Sequence, residues 1–172
     1  MRYLAAICLI WLFSQSSICA QEWQKITSAK SPLSFSLPGV AQHHDKELNG
    51  VKVEEFQFRD LVTVFGVVVS DFSAVGVDFS HTDTQEYYQA MKESTLVADE
   101  ARLISEQSVV YHRLLGKEIH YTLNVKRKEY TYFKRFFFRG PFIYQLVIGG
   151  PTRMQEVLLD KKDLFFNSVE FK

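Results

Sequence analysis

Glu118-Ile119-His120-Tyr121-Thr122-Leu123-Asn124-Val125 is the stretch on which the fold class turns. Ile119, Tyr121, Leu123 and Val125 alternate with Glu118, His120, Thr122 and Asn124. A period of two marks a β-strand with one face toward a core, so the polar four are expected to point outward. The basic triplet Lys126-Arg127-Lys128 then makes a turn, residues 130–138 run back, and after Gly140-Pro141 residues 142–148 form another long strand. In Phe136-Phe137-Phe138 both faces are aromatic, which predicts cover on both sides of the sheet.

Working upstream, residues 61–69 are apolar almost throughout and read as a strand near the centre of the sheet, with Gly66 marking a close approach by another element. Asn49-Gly50 fits a two-residue hairpin turn because both residues tolerate positive φ. It joins strands at 42–48 and 51–58; a bulge at Glu54-Glu55 would put Val51, Val53, Phe56 and Phe58 on one face. Short strands are expected at 23–26 and 33–37, the second ended by Pro38-Gly39. Residues 82–97 read as a helix opened by a capping box, Thr82 with Gln85 or Asp83 with Glu86, and 102–110 as a strand. Downstream, Gly149-Gly150-Pro151 reads as a breaker, Thr152 and Gln155 as a second capping box, and 167–171 as an extended tail after the closing helix. The order predicts a single α+β domain, an antiparallel β-sheet flanked by helices in an α-β-α sandwich.

The first twenty residues predict an address. Arg2, an apolar run from Leu4 to Phe13 and the small residue Ala20 form a secretory signal peptide with cleavage after Ala20. The expected division is therefore 1–20 signal peptide and 21–172 mature domain. Both cysteines, Cys8 and Cys19, fall inside the leader, which excludes disulfides, thiolate metal sites and cysteine nucleophiles from the mature chain. Ile18 and Ser16 are the wrong way round for a lipoprotein signal, so lipid anchoring at Cys19 is not expected. The whole chain has 20 basic and 20 acidic side chains; without Arg2 the mature domain is net −1. That balance gives no electrostatic case for nucleic acid. The 47% hydrophobic content, with 15 Phe and 8 Tyr, argues for a packed domain and against disorder.

Three pieces carry a family resemblance: Phe35-Ser36-Leu37-Pro38-Gly39, the strand ending Tyr144-Gln145-Leu146-Val147-Ile148-Gly149, and Phe165-Phe166-Asn167-Ser168-Val169 after the closing helix. Together they resemble the PsbP-like/Mog-type superfamily. The resemblance implies an α-β-α sandwich and a bacterial exported member among accessory proteins; it implies no shared catalytic motif.

His43-His44-Asp45 has metal-ligand residue types, but neighbours on a strand point to opposite faces, so a solvated stretch of strand is the expected reading and no metal or cofactor is expected. His81, His112 and His120 have no companion nucleophile in any recognisable motif, so no catalytic residue is named and an enzyme is not expected. Lys126, Arg127 and Lys128, with Lys134, Arg135 and Arg139 on the next strand, form the most distinctive charge cluster, a candidate patch for an anionic partner, weighed against a plain solvated hairpin tip. The leading expectation is an exported, non-enzymatic accessory or protein-binding domain, periplasmic or secreted, with an envelope protein as partner. A carrier of an apolar ligand such as a lipid is the alternative, and a hydrolase comes third.

Overall fold

The structure is a computed structural model that describes residues 22–98 and 100–172. The leader at 1–20, with Cys8, Cys19 and the cleavage point, lies outside the described residues. The chain runs β1 (Gln24–Thr27), β2 (Leu33–Leu37), β3 (Gln42–Leu48), β4 (Val51–Arg59), β5 (Val64–Asp71), α1 (Thr84–Ala98), β6 (Arg102–Tyr111), β7 (Leu114–Val125), β8 (Lys128–Arg139), β9 (Phe142–Pro151), α2 (Gln155–Asn167) and β10 (Glu170–Phe171). Strands β3 to β9 form one antiparallel sheet in the order β3-β4-β5-β9-β8-β7-β6, and β1-β2-β10 form a small second sheet.

The expected α+β sandwich is what forms. On one face of the large sheet, Tyr88 of α1 packs on Ile119, Tyr121, Leu123 and Phe136. On the other, Leu33, Phe35 and Leu37 of β2 and Leu158, Phe165 and Phe166 of α2 pack on Phe65, Val67, Phe137, Tyr144 and Leu146. Phe136 and Phe137, neighbours in sequence, thus enter different cores, each almost fully buried.

Tight turns set the register. Asn49 and Gly50 have φ of 52° and 82° between the paired residues Leu48 and Val51. Lys126 and Arg127, at 48° and 65°, turn between Val125 and Lys128, and His112 and Arg113 do the same between Tyr111 and Leu114. Left-handed turns of this kind match the twist of the strands they join, although side chains other than Gly and Asn are strained in them.

Several expectations need correction. Strand β5 begins at Val64; Leu61 is fully exposed on a loop that Asp60 organises by accepting the backbone N–H groups of Val62 and Thr63 at 2.8 and 2.6 Å. β5 lies near the centre as expected, between β4 and the middle strand β9. The close approach expected at Gly66 is there, made by Val147 of the paired strand β9. In β7 the polar residues do not all face water: Glu118 and Thr122 are buried, Glu118 beneath Gln107 and Arg135, which itself lies against Phe166 of α2. Strand β4 has no bulge; its pairing with β5 runs unbroken from Lys52 to Arg59, and Val53 and Phe56 are buried on opposite faces. The bulge falls in the edge strand β6, between Leu103 and Ser105.

Gly149 and Gly150 do not break β9. A Cβ on Gly149 would stand 2.1 Å from the Tyr132 ring, and one on Gly150 2.4 Å from the Val62 carbonyl oxygen, so both glycines admit a close neighbour within the strand. At the N-terminus of α1 the Asp83 carboxylate accepts the Gln85 N–H at 2.9 Å, whereas Thr82 donates to the Asp78 carbonyl. The second capping box is absent: a 3-10 turn, Thr152–Met154, precedes α2, and the Thr152 hydroxyl is 2.9 Å from that of Thr131.

Candidate functional site

One end of the large sheet gathers the loop after β4, the turn between β7 and β8 and the end of β9. A groove of about 350 Å³ opens there, lined by Arg59, Leu61, Val62, Val125, Tyr130 and Tyr132, among others. Leu61 and Val125 are exposed at 104% and 46%, too much for side chains that only close a core. Gly150 lets the Val62 backbone lie against β9 and so forms part of this wall. The loop is pinned from below by Lys161 of α2, whose ammonium donates to Asp60 at 2.5 Å. Partial burial opposes the charged form of Asp60, but Lys161 and the two backbone N–H groups prevail and hold its carboxyl below the usual range.

Lys126, Arg127 and Lys128 are exposed on the turn that follows Val125, with no ion-pair partner among the described residues. Arg59, also exposed, lines the groove itself. Arg102, at the same end, is 3.9 Å from Glu129. The result is a groove of mixed polar and apolar lining, with exposed Leu61 and Val125 in it and basic side chains at its rim.

The five residues of the sequence-derived patch do not form one surface. Lys134 and Arg135 are consecutive on β8 and point to opposite faces. Lys134 donates to the Thr95 hydroxyl of α1 at 3.0 Å. Arg135 donates to Glu118 at 2.5 Å and lies over the Phe166 ring at 4.2 Å, while Gln107 satisfies the other Glu118 oxygen at 3.0 Å. Its charge neutralises a buried carboxylate, and Arg139 sits at the far end of β8. Of these residues Lys126, Arg127 and Lys128 stay together on the open turn, at the end of the sheet that also holds Arg59, Leu61 and Val125. Sequence reasoning passed over Leu61 because it reads as the first residue of an apolar strand; the polar Asp60 before it is the signal that marks a loop.

The β3–β4 edge holds a second cluster. His43 and Asp45 are two apart on β3, hence on one face, and Glu54 stands opposite Asp45 on β4. The His43 Nε2 is 3.5 Å from Asp45 Oδ1 and 3.2 Å from Glu54 Oε1. His44 points away to the other face, as its position on the strand requires. The buried Ser28 hydroxyl donates to the other Glu54 oxygen. This is not a nucleophile triad: the carboxylate stands between hydroxyl and imidazole, so His43 has no path to the serine proton. His120 is elsewhere, stacked on Phe133 at 4.4 Å with its Nε2 buried and unpaired, and burial together with Lys162 lowers its pKa.

No protein-family model matches the chain, and no curated protein matches its sequence. Solved structures do. The solution structure of cyanobacterial PsbP from Synechocystis sp. PCC 6803 superposes with a TM-score of 0.59, covering 94% of this chain and 99% of that one at 17% identity. The fold is PsbP-like. LpqN of Mycobacterium tuberculosis, a protein involved in cell envelope biogenesis, matches with a TM-score of 0.50 over 86% of this chain and 89% of its own, at 8% identity. At these identities the likeness concerns the PsbP-like fold alone, and the groove, its basic rim and the His43 cluster are read from this chain's own residues.

Proposed function

We propose that this PsbP-like domain is an exported, non-enzymatic accessory module that docks an acidic protein surface in the cell envelope on the groove end of its sheet. The observation that carries the reading is the union, at one end, of exposed Leu61 and Val125 with Lys126, Arg127, Lys128 and Arg59. An apolar centre supplies contact area and a basic rim supplies orientation and a faster encounter with an acidic partner. Export rests on the leader-like residues 1–20, and the envelope setting draws support from the envelope role of LpqN. No helix among the described residues is long and apolar enough to cross a membrane.

The packing favours this reading over a carrier of apolar ligands. Phe35, Phe65, Phe136, Phe137, Phe165 and Phe166 are at most 1% exposed and meet one another or neighbouring rings at 5–6 Å, so the aromatic excess fills the cores. The test compares the wild-type chain with Lys126→Ala/Arg127→Ala/Lys128→Ala and with Leu61→Asp in capture from an envelope fraction at low and high salt. A partner lost with either variant, with a salt dependence that flattens in the triple variant, supports the reading. Equal capture by all three proteins overturns it, as does hydrolysis of an ester, glycan or peptide that one His or Asp change abolishes. Binding to anionic vesicles in place of protein would identify a lipid surface and overturn the choice of partner.

A further inference from the structure

We propose that His43, Asp45 and Glu54 form a binding site for one divalent transition-metal ion of the Zn²⁺ type on the β3–β4 edge. One ligand atom from each residue lies within 4.8 Å of the others. The two separations from the His43 nitrogen, 3.2 and 3.5 Å, bracket the roughly 3.4 Å between ligands that follows from tetrahedral Zn²⁺ with bonds of about 2.0–2.1 Å. Three protein ligands leave a fourth position for water.

The surroundings orient the ligands as a metal site requires. His43 stacks on Phe56, 4.6 Å between centroids and 17° between planes, which holds the imidazole over the carboxylates. The Ser28 hydroxyl ties down the Glu54 oxygen that faces away from His43, and backbone N–H groups of Lys30 and Ser31 in turn hold the Ser28 oxygen at 3.1 and 3.0 Å. Such outer contacts tune ligand geometry and affinity.

The charges around the cluster bear on which ion it would take and on what the ion must displace. Glu54 is 2% exposed; Lys46 is committed elsewhere, to Glu55 at 2.5 Å, whereas Lys30 lies within the cluster, 2.7 Å from Asp45 Oδ1. His43 is the basic side chain in contact with the Glu54 carboxyl, and the Lys30 ammonium stands beside them on Asp45 Oδ1. A divalent ion at the His43 nitrogen would lie between the two carboxyl groups. One imidazole with two carboxylates suits Zn²⁺ or Mn²⁺ better than Ca²⁺, which takes six to eight oxygens. Lys30 occupies the Asp45 oxygen the ion needs, at 2.7 Å, so the ion must displace it.

The test is calorimetric titration of Zn²⁺ into the chelator-treated full chain, with a parallel melting curve. The expected result is one ion per chain and a Tm that rises with Zn²⁺ concentration. His43→Gln and Asp45→Asn, both at exposed positions, should weaken binding at least tenfold, and Glu54→Gln likewise. His44→Gln, on the opposite face, should bind as the wild type does. Lys30→Gln should bind several-fold tighter, because it removes both a like charge and a competitor for Asp45. Ca²⁺ should give no comparable heat. Absence of Zn²⁺ binding, binding that survives His43→Gln and Asp45→Asn, or an unchanged affinity in Lys30→Gln overturns the proposal. Should Glu54→Gln fail to fold, the two exposed variants decide.

Discussion

Arg135→Ala is expected to cost about 3–5 kcal/mol, because it strands the buried Glu118 carboxylate, whereas Lys126→Ala on the open turn should change stability by no more than about 0.5 kcal/mol. Urea unfolding of the two variants checks this, and similar losses would refute the division of the basic cluster into a structural and a free part. His120 makes a pH-dependent prediction. Its folded pKa is lowered from 6.5, first by burial and then by Lys162, so the unfolded chain binds the proton more readily. Stability attributable to this group is therefore full above the unfolded value near 6.5 and falls as pH drops toward the lowered folded value. His120→Phe keeps the stack on Phe133, removes the unpaired nitrogen and should flatten the pH–Tm curve below about 6.5. An equally steep curve in the variant would assign the dependence to another group. Asp60 has the opposite charge type: its depressed pKa supports stability above about 4 and loses it on further acidification.

The turn between β7 and β8 joins stability to function. Lys126 and Arg127 hold positive φ, which costs side chains other than Gly and Asn about 1 kcal/mol or more each. Replacing the pair with Asn-Gly, as at the turn of β3 and β4, should raise stability by about 1–2 kcal/mol and at the same time weaken capture of an acidic partner. Thermal melts and pull-down of the same protein read both effects; a parallel fall in stability and capture would show that the turn is structural. The turn at His112-Arg113 also has positive φ but does not line the groove, so strain alone does not mark the proposed docking end. The two edge strands are protected differently. Edge strand β3 is exposed along its whole length and carries His43, His44, Asp45, Lys46 and Glu47, whereas β6 is bulged at Ile104, both features that hinder pairing with another chain.

Both cores share the seven-stranded sheet, so neither can melt while the other persists. Tyr88→Ala beneath α1 and Phe165→Ala beneath α2 should each lower one common unfolding midpoint, with near- and far-ultraviolet circular dichroism coincident. Separate midpoints would show two independent layers. The α+β class, the antiparallel meander and the hairpins at Asn49-Gly50 and Lys126-Arg127 were legible in the chain, because side-chain periodicity and turn chemistry act between near neighbours. The double aromatic face at Phe136 and Phe137 likewise announced cover on both sides. Other features depended on partners remote in sequence. Glu118 is polar in the pattern yet buried, since Arg135 from the next strand compensates its charge. Leu61 continues an apolar run yet stands in water, since Asp60 and Lys161, 101 residues apart, hold its loop off the strand. Glu54 joins His43 and Asp45 only through the cross-strand register of β3 and β4. Local periodicity and turn preference are written along the chain and set the elements; the pairing of charges and the exposure of loops arise where distant segments meet, and there only the folded arrangement decides.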